Sequence, residues 1–67
     1  MLVNELLAKL DTEVTIIFRN SKEEFICQTK KSSTLGVKPY LNNKVKKYNI
    51  GCGALFDSFI RITLEDV

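Results

Sequence analysis

Lysines and tyrosines in the middle of the chain are the residues best placed to do chemistry. Lys44, Lys46 and Lys47 flank Val45, Lys30-Lys31 precede them, and Tyr40 and Tyr48 lie close by. Residues 25–56 hold six lysines and no acid, whereas acids outnumber bases in both 1–24 and 57–67. Such segregation says more about partners than the net charge of +2 does. Lysine with aromatic neighbours can contact phosphates and stack on bases. The same field steers an acidic protein surface. Lysines on edge strands also keep sheets from pairing with one another, which is the plainest role for such a run. The expected binding residues are Lys30, Lys31, Tyr40, Lys44, Lys46, Lys47 and Tyr48. An acidic protein surface is the first expected partner and nucleic acid the second, because a pI near 8.6 is low for a dedicated nucleic-acid binder.

Catalytic constellations are missing from the sequence. There is no histidine, so the commonest general base and metal ligand are both lacking. The acids are dispersed, and two isolated cysteines do not make a zinc set. Gly51-Cys52-Gly53 lacks the spacing and the terminal Lys-Ser/Thr of a phosphate-binding loop. Cys27 falls at an inward position and reads as a small apolar residue. Cys52, between two glycines, has no base to activate it. The expectation is a non-enzymatic protein without cofactor or metal. Two cysteines in 67 residues are too few for a disulfide-stapled secreted domain, and the start of the chain does not resemble a secretory leader. A reducing cytoplasmic setting is expected. No apolar run approaches the roughly 20 residues of a membrane helix.

The elements that must position these residues can be read from periodicity. Val3, Leu6, Leu7 and Leu10 recur at i, i+3, i+4 and i+7, the spacing of one helix face. Asp11-Thr12 marks the exit turn. From Glu13 to Arg19, Val14, Ile16 and Phe18 alternate with Thr15, Ile17 and Arg19, as in a strand. Asn20 to Glu23 is turn-like, and Glu24 to Lys30 alternates again, so the two strands read as a hairpin. Lys31 to Asn43 reads as a loop with one helical turn near Tyr40. Val45 to Ile50 reads as a third strand, with a β-bulge near Lys46-Lys47 restoring its phase. Gly51 to Asp57 reads as a glycine-rich connection and Ser58 to Leu64 as the fourth strand. With connections too short for a helical crossover, an antiparallel meander is the simplest sheet. If the second and third strands pair, Lys30-Lys31 and Lys44 meet at one end.

The expected fold is α+β: one N-terminal helix on a four-stranded antiparallel sheet, a single domain over residues 1–67. The expected core is Leu6, Leu7, Leu10, Val14, Ile16, Phe18, Phe25, Cys27, Tyr48, Ile50, Ile60, Ile62 and Leu64. Ile17, Ile26 and Phe59 fall on the other sheet face. Three large apolar groups there call for a cover, either a homodimer or partner protein, or residues 31–43 folding back.

The run Leu6 to Ile16 resembles the opening of small phage and prophage proteins of Gram-positive bacteria. Leu41 to Tyr48 followed by Ile60 to Leu64 looks like the closing strands of the same group. The likeness is carried by apolar positions, and the Gly51-to-Asp57 connection departs from it. What it implies is an accessory protein that binds and blocks a host defence or metabolic protein, or sequesters a ligand, with no site residues to carry over.

Overall fold

The computed structural model describes residues 1–10, 13–51 and 58–67, with the side chain of Thr34 also outside the description. Asp11-Thr12, Cys52 and the connection 52–57, on which several expectations fell, lie outside the described residues. The chain forms α1 (Val3–Ala8), β1 (Thr15–Arg19), β2 (Phe25–Lys30), α2 (Thr34–Val37), a 3₁₀ turn (Lys38–Tyr40), β3 (Val45–Gly51) and β4 (Phe59–Leu64). The fold is α+β, with short helices on one face of a four-stranded sheet. α1 is only 6 residues long, too short to persist alone in water, so its Val3, Leu6 and Leu7 stripe must pack on the sheet.

The sheet is mixed rather than antiparallel, in the order β2-β1-β4-β3. β1 pairs with β2 and β3 with β4 antiparallel, while β1 and β4 run parallel. The expected β2–β3 pairing does not occur: those strands lie on opposite edges. The physical reason is apolar content. β1 and β4 bring Ile16, Phe18, Ile60, Ile62 and Leu64, all buried, and take the centre. β2 and β3 carry the lysines and take the edges, where charged side chains are tolerated and discourage further pairing. Residues 31–44 make the crossing between the edges, folding α2 and the 3₁₀ turn on the way. The connection thus has room for a helical crossover after all.

This crossing segment packs on the same face as α1. Val37 is buried with the core, and the Tyr40 ring lies 4.5 Å from that of Phe18. Residues 31–43 therefore do not cover the other sheet face. α2 sits very close to β2, since a Cβ on Gly36 would lie 2.0 Å from Thr29 Oγ1. The start of α1 is tied to the end of the crossing: Val3 N–H donates to Asn43 O at 3.0 Å and Asn4 N–H to Leu41 O at 3.1 Å.

Two bulges set which side chains face the core. β3 is irregular between Val45 and Lys47, as its sequence phase requires. A second irregularity, unread in the sequence, leaves Arg19 opposite Phe25 and skips Ile26. A one-residue slip exchanges faces. Phe25, expected inside, is 65% exposed, and Ile26, expected outside, packs against the core. Tyr48 and Ile50 were also expected inside; they pair with Ile62 and Ile60 but lie on the β3 edge, 43% and 63% exposed. Leu10 and Cys27 are partly buried, and the core gains Val3 and Val37.

The β1–β2 turn is organised by Asn20, whose Oδ1 accepts the backbone N–H groups of Lys22 and Glu24, each at 2.9 Å. Glu23 there takes φ of 67°, a left-handed conformation that costs about 1 kcal/mol for a residue with a side chain.

Gly36→Ala should lower stability by about 1–3 kcal/mol, because the added methyl must push α2 off Thr29. A urea melt checks this, and an unchanged midpoint would show that α2 is not held against β2.

Candidate functional site

The lysines of the expected site do not come together. Lys30-Lys31 stand at one end of the sheet and Lys44, Lys46 and Lys47 at the other, a strand length of roughly 17–20 Å apart. Several serve as tethers. Lys31 Nζ donates to Leu10 O at 2.5 Å, holding the chain beyond α1 to the end of β2. Lys46 Nζ donates to Ser21 O at 3.2 Å, and Lys47 forms an ion pair with Glu23. Lys44 is exposed and bridges Leu2 through the backbone. Tyr40 packs on Phe18 as cover for the core, and Tyr48 lies on the helix-bearing side of the β3 edge. Of the seven expected residues, only Lys30 and Lys47 project from the face that carries no helices.

That face holds a different set. Register places Thr15, Ile17 and Arg19 of β1 beside Phe59, Arg61 and Thr63 of β4. Phe25, Gln28 and Lys30 of β2 and Lys47 and Asn49 of β3 complete it. Its bases are Arg19, Lys30, Lys47 and Arg61, and its strand positions carry no acid; Glu13 and Glu23 stand at the margins. The Lys47–Glu23 pair closes one end, where the intervening Thr63 is only 3% exposed. The rest is open among the described residues.

At the centre of the open part lies a groove of about 230 Å³, lined by Thr15, Ile17, Gln28, Phe59 and Arg61. Its floor is built in layers. Gly51 faces Phe59 across β3 and β4, and a Cβ there would come within 2.7 Å of the ring, so glycine is what lets the ring settle over the strand. The Arg61 guanidinium lies over the same ring, 5.7 Å from its centroid, a cation–π contact. Arg61 Nε is buried and has no hydrogen-bond partner among the described residues. Leaving such a donor unmet costs about 1–3 kcal/mol, and few native groups are left so.

Arg19, Phe59 and Arg61 were not among the expected binding residues. Their alternation was legible; what was not legible was that β1 and β4 are neighbours. Among the described residues there is no cluster of three or more metal-ligating side chains, and no helix is long and apolar enough to cross a membrane. Cys27 is a free thiol. Its contact with Tyr40, followed by burial, pushes the phenol above 10.0. No family model matches the chain, and neither the curated proteins nor the solved structures contain a match.

Three carboxylates hold the surface tethers in their charged form. The Lys47 hydrogen bond, followed by its charge, lowers Glu23 below its ordinary 4.5. The Asn43 amide, donating at 2.9 Å, lowers Asp66 below 3.8. The Ser32 hydrogen bond lowers Glu13 below 4.5. A carboxyl lowered on folding contributes stability above its unfolded pKa and loses it as pH falls through the folded value. The melting temperature should therefore drop as pH falls below about 4.5, and the drop should be smaller in Glu23→Gln with Asp66→Asn. An equal drop in that double variant would show that these pairs contribute nothing.

Gly51→Val should displace Phe59 and Arg61 while leaving the buried face intact. The measurement is the Phe59 ring-current shift on Arg61 by NMR; an unchanged shift would contradict the layered arrangement.

Proposed function

We propose that the protein is a non-enzymatic binding module whose open sheet face docks on an acidic surface of another protein. The observation that carries this reading is a sheet face left uncovered among the described residues, with Arg19, Lys30 and Arg61 beside Ile17 and Phe59. Arginine and aromatic side chains in partly desolvated settings are the groups that concentrate binding energy at protein interfaces. Positive charge around them, unpaired among the described residues, selects an acidic partner and speeds encounter with it. The resemblance to small phage and prophage proteins adds the outcome of binding: the partner is a host defence or metabolic protein in the cytoplasm, and docking blocks it.

A second reading is single-stranded nucleic acid on the same face, favoured by Phe59 and Phe25 standing among the bases. Aromatic side chains in a positive field stack bases without regard to sequence.

The test is capture of a partner from a Gram-positive lysate with and without nuclease, repeated with Arg19→Glu/Lys30→Glu and with Lys38→Glu as control. Lys38 sits in the helix layer, on the opposite side of the sheet. The double reversal should weaken capture of one protein about tenfold or more in the nuclease-treated arm, with Lys38→Glu near wild type. Capture abolished by nuclease, with affinity falling steeply in salt, would favour nucleic acid. Equal capture by all three proteins would remove the face from the interface.

A further inference from the structure

We infer that the groove at Arg61 is a receptor for a single carboxylate side chain of the docked protein, with Arg61 as its anchor. The inference rests on the docking reading and specifies the chemistry of its central contact.

Among the described residues Arg61 is a charge without a counter-charge, held over an aromatic ring, and its buried Nε meets no acceptor there. Guanidinium pairs best with planar oxyanions, through two parallel N–H donors. Here those donors can be Nε and a neighbouring Nη, once the head swings off the Phe59 ring toward the groove. The groove volume of about 230 Å³ lies below the 300–1,000 Å³ typical of small-molecule sites, and suits one inserted side chain. Ile17 and Phe59 supply apolar walls for an aliphatic stem, while Gln28 and Thr15 supply polar groups at the rim. Carboxylate fits better than phosphate. One guanidinium neutralises one carboxylate, whereas a phosphate monoester carries about −1.5 to −2 at pH 7 and would leave uncompensated charge against the apolar walls.

The test follows Arg61 Nε–H, the Ile17 methyls and the Phe59 amide by NMR in the full chain at low ionic strength. The titrants are blocked hexaglutamate, blocked hexaglutamine and inorganic phosphate. Hexaglutamate should shift all three signals saturably, and hexaglutamine should not. Arg61→Gln should weaken the Ile17 and Phe59 responses about tenfold, the loss expected for a charged hydrogen-bonded pair. Ile17→Glu sets a carboxylate across the strand pair from Arg61. It should raise the melting temperature and abolish the response to hexaglutamate.

Equal shifts with hexaglutamine, tighter binding of phosphate, or wild-type affinity in Arg61→Gln or Ile17→Glu would overturn the groove. If binding survives Arg61→Gln but is lost in Arg19→Glu/Lys30→Glu, only the groove falls and the docking face stands. Binding that survives both sets of changes would reject the docking face as well.

Discussion

The parallel pairing of β1 with β4 is the constraint on which the rest of the structure depends. Its register runs from Thr15 opposite Phe59 to Arg19 opposite Thr63. That single ladder aligns Ile16 and Phe18 with Ile60 and Ile62 on one side, and Ile17 with Arg61 on the other. Because strand side chains alternate, a slip of one residue would turn the whole buried row outward. A parallel neighbour cannot be reached by a tight turn. The chain meets this requirement by placing β2 on one edge, crossing the helix-bearing face through residues 31–44, and returning along β3 before β4 is laid down. The crossing then becomes part of the cover, with Val37 and Tyr40 closing over Phe18.

Much of the fold is legible from local pattern. The leucine stripe of α1, the alternation of β1 and β4, the polar turn at Asn20 and the bulge near Lys46 all follow from spacing. Topology does not, because it is decided by competition between strands far apart in sequence. Tyr48 and Ile50 alternate as correctly as Ile60 and Ile62 do. They end exposed because β3 takes an edge, where half the surrounding contacts are missing. Phe25 and Ile26 exchange roles because the bulge opposite Arg19 shifts the phase by one residue, and nothing in Glu24 to Lys30 marks where that shift falls.

The expected lysines are dispersed for a related reason. Lysine density along the chain suggested a single basic stripe, yet β2 and β3 present their lysines at opposite ends and edges of the sheet. Lys31, Lys46 and Lys47 are occupied in tying segments together: the chain after α1 to β2, and β3 to the β1–β2 turn. On the face without helices, the bases unpaired among the described residues come from different strands, Arg19, Lys30 and Arg61, which only the sheet order brings together. Arginine differs from lysine in this setting because its flat head can rest on Phe59 and still offer paired donors.

The most direct test of this account is the pattern of interstrand backbone NOEs in the isotope-labelled chain. A parallel β1–β4 ladder predicts contacts linking Ile16 with Ile60 and Phe18 with Ile62 in parallel register, with none between β2 and β3. Antiparallel NOEs joining residues 25–30 to residues 45–50, without β1–β4 contacts, would contradict it and would dissolve the face on which Arg61 and Phe59 meet.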